Sequence, residues 1–313
     1  MAIEKINGVA FSSLAKINGK AKGDMAKYLG YQIPSASSSF DFKTDDLEIW
    51  WRGGDADSND YHINASGTTI ENQATVEGFS DSWTSTDPNY GDHRILNGTS
   101  GDFTTLTINS QSVGVIQLDG VNDCIITREL QVGSQHSNWN HPYPPNSSAI
   151  VQKNLWYDIT RSTASGFTVE LWFRSDGNWA SQGNILSTYN ECFRFRMQGG
   201  QLKSAGARIF GTWNTGWYPS TNTWYQLVLT HDPSNGTSKL YVNGSLLDTK
   251  ANQSNNMSST TYIRNTLLIG AYQTSGSERQ AMYVGLFRKY ITPLTATEVS
   301  DNYDADKATF GLS

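Results

Sequence analysis

Residues 167–178 read FTVELWFRSDGN, residues 184–197 read NILSTYNECFRFRM, and residues 222–244 read NTWYQLVLTHDPSNGTSKLYVNG. In the first of these stretches every second residue from Phe167 to Phe173 is apolar. A period of two places alternate side chains on opposite faces of a β-strand. The three stretches therefore predict successive strands of an antiparallel sheet, separated by tight turns.

Turn sequences in the third stretch support this prediction. Ser234-Asn235-Gly236 separates apolar runs at 224–230 and 239–242, and Asn243-Gly244 precedes a further run at 245–248. Asn-Gly is the strongest short hairpin signal because both residues tolerate positive φ. The fold class that we predict is therefore all-β.

Segments spread over residues 113–308 add a family resemblance. In chain order they read VGVIQLDGVNDCI, FTVELWF, NTWYQLVLTHD, SKLYVNG, LLIGAY and MYVGLFRKYITPLTATEV. In this order the segments resemble the laminin-G-like members of the concanavalin A-like lectin/glucanase superfamily. The resemblance implies two stacked antiparallel sheets in jelly-roll topology. It also implies a glycan- or protein-binding module, with glycosidases in only some branches.

Composition excludes several classes of function. The 313 residues carry a net charge of −6, and the Lys and Arg residues are scattered, so the basic patch of a nucleic-acid-binding protein is missing. The sequence has no run of 18 apolar residues that could form a membrane span. Its start, MAIEKINGVAFSSLAKINGK, lacks the apolar centre of a signal peptide. We therefore expect a globular protein that is made in a cytoplasm, with neither nucleic-acid binding nor membrane insertion.

The N-terminal region contains three 11-residue units, IEKINGVAFSS, LAKINGKAKGD and MAKYLGYQIPS. Each unit has too few apolar residues to build a core, so the units must lie on another surface to be ordered. We interpret residues 1–34 as an anchoring arm. The residues predicted to dock it are Lys5, Ile6, Phe11, Lys16, Ile17, Lys27 and Tyr28.

A second resemblance concerns this arm and the C-terminal sequence LTATEVSDNYDADKATFG. Repeated KING-type sequences ahead of a laminin-G-like domain resemble virion structural proteins of tailed bacteriophages, particularly marine and cyanobacterial ones. The resemblance implies a virion location, release by lysis and other virion proteins as partners. The alternative is a terminal arm that packs on its own domain.

The remaining sequence divides into three parts. Residues 35–40 form a serine-rich linker, and residues 41–112 supply a first strand at Leu47–Trp51 followed by a long insertion. A small separate domain is the alternative for the insertion. Residues 113–313 form the sandwich core and its C-terminal helix.

Calcium is the metal that the sequence leaves open. Asp55, Asp57 and Asn59 alternate like the first oxygen ligands of a calcium loop, but the later ligands of such a loop are missing, and a solvated polar turn is the alternative. The turn that carries Asp119 and Asp123 could also contribute, since many members of the superfamily bind calcium. We expect no other cofactor.

A short helix is predicted near the C-terminus. Thr295 and Glu298 form a capping box that opens a helix over roughly Ala296–Ala305. We expect the helix to cover an edge or an end of the sandwich, with Val299, Tyr303 and Phe310 packed inward.

Catalytic motifs are missing from the sequence. The glucanase branch places Glu-x-Asp-x-x-Glu on one strand, because a retaining mechanism needs carboxyl groups about 5 Å apart. Here Glu170 is the only carboxylate in its strand, and Asp46 and Glu48 lack a third partner. We interpret these carboxylates as surface or edge charges and predict that the chain is not an enzyme.

Two aromatic loops are the predicted glycan sites. Sugars are held by exposed aromatic faces with amide and carboxylate groups beside them, and both loops, SNWNHPYPPN and GTWNTGWYPSTN, have that composition. The candidate residues are Trp139, Asn140, His141, Tyr143, Trp213, Asn214, Trp217 and Tyr218. The alternative is that these aromatic residues pack as lids or subunit contacts.

Taken together, the sequence suggests a non-enzymatic virion protein. Its arm would dock on a virion component, and its lectin-like domain would bind a host-surface glycan or decorate the particle. We expect a homo-oligomer, since many weak sites on one particle add up by avidity. The alternatives are a carbohydrate-active enzyme and a purely structural subunit without a ligand.

Overall fold

The computed structural model describes fifteen segments of the chain. They are residues 5–6, 9–10, 16–17, 20–21, 42–43, 47–53, 69–70, 93–96, 102–127, 166–188, 193–207, 211–251, 267–272, 278–290 and 292–313. These segments belong to two compact units, Met1–Asp41 and Phe42–Ser313.

The described residues of the first unit form two pairs of short strands with the same spacing. Strand β1 (Lys5–Ile6) pairs with β2 (Val9–Ala10), and β3 (Lys16–Ile17) pairs with β4 (Lys20–Ala21). In both hairpins the sequence between the paired residues is Asn-Gly, which two-residue hairpin loops favour. The first two 11-residue units therefore repeat one strand pairing. Three predicted arm residues lie outside the described residues: Phe11, Lys27 and Tyr28.

The second unit contains sixteen described strands and one described helix. They are β5 (Leu47–Arg52), β6 (Thr69–Ile70), β7 (His93–Leu96), β8 (Phe103–Ile108), β9 (Gln111–Asp119), β10 (Cys124–Thr127), β11 (Phe167–Ser175), β12 (Asn184–Thr188), β13 (Arg194–Gln198), β14 (Gln201–Ala207), β15 (Gly211–Asn214), β16 (Tyr225–Asp232), β17 (Thr237–Val242), β18 (Ser245–Ala251), β19 (Leu267–Ile269), β20 (Ala281–Tyr290) and α1 (Ala296–Asp306).

These strands form two antiparallel sheets. Sheet 1 has the order β18-β17-β16-β11-β20-β9-β8, with β5 paired to β20, and sheet 2 has the order β15-β14-β13-β12-β19-β10-β7-β6. Strands that are distant in sequence lie side by side, as when β11 pairs with both β16 and β20. The predicted all-β fold of two antiparallel sheets with a short C-terminal helix is confirmed.

The main core lies between the sheets. Phe167, Val169, Leu171 and Phe173 of β11 are buried there against residues of sheet 2 such as Phe195. Burying large apolar side chains in this way is the main favourable contribution to folding. The alternation read from the sequence therefore marks the inner face of sheet 1.

The outer face of sheet 1 is also covered. The indole of Trp172 points away from the main core and stacks on Tyr303 of α1 at 5.7 Å between ring centroids and on Phe310 at 4.6 Å. Gly285 makes room for this packing, because a Cβ there would lie 2.2 Å from Cε1 of Phe310. The capping box of Thr295 with Glu298 is confirmed. However, the helix covers a sheet face rather than an edge or an end.

Glu170 is completely buried beneath α1, so the prediction of a surface or edge charge was wrong. Its carboxylate accepts hydrogen bonds from Trp172 Nε1 (3.1 Å), Gln226 Nε2 (2.9 Å), Arg288 Nη1 (3.0 Å) and Asn302 Nδ2 (2.8 Å). These donors come from three strands and the helix, which is why sequence spacing did not reveal them. A buried carboxylate is tolerated when such donors replace its lost hydration.

The guanidinium of Arg288 also holds α1 to sheet 1. Arg288 is buried, and its Nη2 donates to Asp306 Oδ2 of α1 at 2.6 Å. Asp306 also accepts from Nη2 of Arg52 at 2.9 Å. The outer face of sheet 1 is therefore fastened by buried ion pairs as well as by aromatic packing.

Candidate binding face

Several predicted site residues lie outside the described residues. They are Trp139, Asn140, His141, Tyr143, Asp55, Asp57 and Asn59. The predictions for the SNWNHPYPPN loop and for the GGDADSND segment therefore stay predictions.

Trp213 lies within strand β15 rather than in a loop, and it is 2% exposed. Its indole packs near Phe195 and donates a hydrogen bond from Nε1 to Asp248 Oδ2 at 2.6 Å. The expectation of an exposed stacking face was therefore wrong at this position, because alternation along β15 turns Trp213 into the core. The neighbouring Asn214 points to the opposite face and is exposed.

Of the other two predicted aromatic residues in GTWNTGWYPSTN, Trp217 packs against the structure and Tyr218 is exposed. Trp217 is half-buried and packs edge-on against Tyr225 at 4.9 Å, while its carbonyl accepts a hydrogen bond from the backbone of Leu202. Tyr218 is 65% exposed and lies beside the β13–β14 turn, where a Cβ on Gly200 would be 3.8 Å from its ring. Tyr218 is therefore the residue of this group whose aromatic face can reach a ligand.

Four polar residues form a row across the outer face of sheet 2. In register, Asn184 of β12 faces Arg196 of β13, Arg196 faces Lys203 of β14, and Lys203 faces Asn214 of β15. Directly paired residues share one face of a sheet. Because Phe195 lies in the core, Arg196 and its row partners point outward.

We call this surface the polar face. It comprises Asn184, Arg194, Arg196, Gln198, Gln201, Lys203 and Asn214. Along it the exposure rises from buried Asn184 and Arg194 to exposed Asn214. The sequence signal was the alternation RFRMQ in β13, but the row could not be assembled without the register of four strands.

Arg194 is held firmly at the buried end of the polar face. Its Nε donates to Asn184 Oδ1 at 2.9 Å, its Nη2 forms an ion pair with Glu278, and its guanidinium stacks 3.8 Å from the ring centroid of Tyr272. Glu278 has a φ of 53°, a left-handed conformation that is unusual for glutamate. These contacts position Arg194 as part of the scaffold.

Arg196 is held more loosely. Its Nη1 lies 3.4 Å from Gln182 Oε1 and 3.4 Å from Glu278 Oε2, and its Nη2 lies 3.5 Å from Gln198 Oε1. Charge-assisted hydrogen bonds are normally 2.7–2.9 Å long, roughly, so these contacts are weak. The guanidinium can therefore form shorter bonds to a ligand without breaking strong ones.

Asp119 and Asp123 lie together in the turn between β9 and β10. Burial is the largest cause that raises the pKa of Asp123 to about 6, and the adjacent Asp119 adds to it. The pKa of Asp119 is lowered: its partial burial acts in the opposite direction, but hydrogen bonds with Asp123 and from the backbone of Val121 and Asn122 outweigh it. Two adjacent carboxyl groups suit a hard cation.

Among the residues that the structure describes, no group of three or more His, Cys, Asp or Glu side chains is placed to hold a metal ion. Asp119 and Asp123 alone would leave a calcium ion dependent on carbonyl and water oxygens. Calcium binding at this pair therefore stays a prediction. In the same described segments no helix is long and apolar enough to cross a membrane.

The polar face has the groups that sugar recognition uses. Amide side chains and cations can bond hydroxyl and acidic groups, and the nearby ring of Tyr218 can stack on C–H surfaces. The outer face of sheet 1 is covered by α1, whereas Arg196, Lys203 and Asn214 on sheet 2 reach solvent. The polar face is therefore the binding surface that the described residues support best.

Comparison with known proteins agrees with this architecture. Residues 148–300 match the sequence model of the Laminin_G_3 family, described as the concanavalin A-like lectin/glucanases superfamily. No curated protein sequence matches the chain.

Solved structures with similar folds are distant in sequence. Trypanosoma rangeli sialidase is 12% identical with a TM-score of 0.54, over 87% of this chain and 34% of that one. The binding domain of Paraclostridial Mosquitocidal Protein 1 is 12% identical with a TM-score of 0.51, over 86% of this chain and 56% of that one. Domain 4 of AbnA, a GH43 extracellular arabinanase from Geobacillus stearothermophilus solved with arabinotriose, is 14% identical with a TM-score of 0.48, over 82% of this chain and 98% of that domain.

The chain thus spans about a third of the sialidase and a little over half of the chain that contains the toxin domain. At these identities the likeness concerns the fold alone. The two-sheet architecture and the family match agree: residues 148–300 of this chain are similar to the concanavalin A-like lectin/glucanase superfamily.

Proposed function

We propose that this protein is a non-enzymatic glycan-binding component of a virion. Its polar face binds the sugar, and its N-terminal hairpins dock on another virion protein. The observation that supports glycan binding is the row from Asn184 to Asn214, which continues in register across four strands. Host-surface attachment or decoration of the particle is the role that follows.

The arrangement of the polar face favours a sugar. Gln198 and Gln201 face each other at the β13–β14 turn, where Tyr218 lies beside Gly200. An exposed aromatic ring next to paired amides provides both a stacking surface and partners for hydroxyl groups. The pleated sheet holds these side chains on a rigid platform, which reduces the entropy cost of binding.

The buried state of Glu170 supports a binding role rather than catalysis. Its four hydrogen bonds are used to hold strands and helix together, and it has no access to a substrate. General acid or nucleophilic work requires a carboxylate within reach of the scissile bond. Glu170, the carboxylate of strand β11, therefore has a structural role.

Glycan binding is tested by screening the full chain on immobilised glycans and measuring affinities for those retained. Replacing the exposed ring, Tyr218→Ala, should weaken binding by roughly 2- to 12-fold, the range expected for an aromatic contact. Leu246→Ala is the matched control, because Leu246 is 52% exposed on sheet 1. Retention of no glycan, or equal affinities of both variants, would contradict the proposal.

Docking of the arm is supported by the repeated hairpins. An isolated two-stranded hairpin is marginally stable in water, so repeated hairpins are well suited to becoming ordered on a partner. On a particle with many copies, weak glycan sites would act together.

The virion role has its own test. Antibody against the protein should label purified particles, and deletion of residues 1–34 should prevent incorporation of a protein that still folds. Unlabelled particles would refute the virion role and leave glycan binding untouched.

A further inference from the structure

We infer that the polar face is selective for acidic glycans, with the carboxylate or sulfate group bound between Arg196 and Lys203. The inference rests on the proposed glycan binding and names the class of sugar. It follows from two like charges that lie opposite each other on sheet 2, from the long contacts of Arg196 and from the distribution of charge over the chain.

The first observation is a like-charge pair. Arg196 and Lys203 lie directly opposite each other on β13 and β14 and share the outer face. Side chains in such positions have Cβ atoms roughly 5 Å apart, and like charges there are destabilising. No described carboxylate lies within salt-bridge distance of Lys203. An anion placed between the two cations would relieve this repulsion.

The second observation concerns how each guanidinium is used. Arg194 is engaged with Asn184, Glu278 and Tyr272, whereas the contacts of Arg196 are all 3.4–3.5 Å long. In addition, Nε of Arg196 is buried and has no hydrogen-bond partner. A planar guanidinium whose Nη1 and Nη2 are held only by long contacts can form paired hydrogen bonds from these two atoms to a carboxylate or sulfate. Arg194 therefore acts as a scaffold and Arg196 as the anion contact.

The third observation is the sign of the local charge. The whole chain has a net charge of −6. On the polar face, Glu278 forms ion pairs with both Arg194 and Arg196, so Arg194, Arg196 and Lys203 share this one carboxylate and the described residues carry an excess of positive charge. A locally positive surface on an acidic protein attracts anions to that surface and repels them elsewhere.

The neighbouring groups indicate a sugar acid rather than a simple anion. Asn214 and Asn184 continue the row on either side of the two cations, and Gln198 follows Arg196 on the same face. Amide groups bond hydroxyls through both donor and acceptor atoms. The cations would thus fix the acidic group while the amides of Asn214 and Gln198 bond the rest of the sugar; Asn184 is buried and holds Arg194 in place.

The test measures affinities of the full chain for matched glycan pairs at low and at high salt. Sialyllactose against lactose reports on a carboxylate, and a heparin tetrasaccharide against its desulfated form reports on a sulfate. Arg196→Gln and Lys203→Gln should each weaken binding of the acidic member about tenfold or more, as expected for a hydrogen bond to a charged group. Lys239→Gln removes one exposed positive charge from sheet 1 and should change little.

The possible outcomes are distinct. The inference is supported if the chain prefers the acidic member of a pair and if Arg196→Gln loses this preference while Lys239→Gln keeps it. The variants must also unfold at the same temperature, so that the loss is not due to misfolding. Equal binding of acidic and neutral members overturns the inference and leaves glycan binding standing. Equal binding of an oligothymidylate of the same charge also overturns it, since the site would then recognise charge alone. Binding of no glycan at all overturns both proposals.

Discussion

The substitution Arg288→Met tests how the C-terminal helix is held. Arg288 is buried and shared by two carboxylates, at 3.0 Å from Glu170 and 2.6 Å from Asp306. Its removal leaves Glu170 with neutral donors only, while Asp306 keeps Arg52. Loss of one partner from a buried ion pair typically costs about 3–5 kcal/mol of unfolding free energy, because a charge is left uncompensated.

For a domain of this size, that loss corresponds to a fall of roughly 6–20 °C in the midpoint of thermal unfolding. Circular dichroism during heating and in urea measures the change. Lys239→Met is the control, since Lys239 is exposed and its loss should alter stability by less than about 0.5 kcal/mol.

A second variant separates uncompensated charge from lost packing. Combining Arg288→Met with Glu170→Gln and Asp306→Asn removes the three fully buried charges and leaves Arg52, whose side chain is 24% exposed and keeps part of its hydration. Replacing a whole buried ion group by neutral residues is often neutral in free energy, so this variant should recover much of the stability. A triple variant that is less stable than Arg288→Met would refute the reasoning, as would a loss below about 1 kcal/mol in Arg288→Met itself.

Three further predictions concern other parts of the structure. Gly285→Ala places a Cβ 2.2 Å from Phe310 and should lower the unfolding free energy by about 1–3 kcal/mol in a urea titration; an unchanged midpoint would contradict the packing. The pKa of Asp123 is raised to about 6 in the folded protein, so the folded state holds the proton of this carboxyl more tightly than the unfolded state does. The free energy of unfolding should therefore fall as pH rises from about 4 to about 6, and Asp123→Asn should remove this pH dependence. Trp213→Phe loses the hydrogen bond to Asp248 and should cost about 1–3 kcal/mol in thermal unfolding without weakening glycan binding, which a weakened affinity would contradict.

Local features of the fold were readable from the sequence. The turn at Asn243-Gly244 has φ values of 49° and 72°, as an Asn-Gly hairpin requires, and Thr295 caps its helix. Both depend on residues only a few positions apart, so the residue types alone determine them. The alternation in β11 likewise marks the inner face of its sheet correctly.

Features that depend on distant residues were not readable. Glu170 was misjudged because the helix that buries it lies more than 120 residues later in the chain. Trp213 was misjudged because turn residues around it resemble a loop, although it belongs to a strand whose neighbour is β14. The polar face was missed for the same reason, since it requires the register of β12 to β15.

The cover over sheet 1 also determines the order in which this protein can mature during synthesis. Glu170 and Arg288 both emerge from the ribosome before α1, and until Asp306 and Phe310 follow, the charges and the ring of Trp172 remain open to water. Chains grow at about 5–20 residues per second, so the nascent chain exposes the outer face of sheet 1 until α1 has been synthesised. Chaperones and proteases that recognise exposed aromatic surface would therefore bind chains that end before α1. They would no longer bind a chain in which the helix covers Trp172.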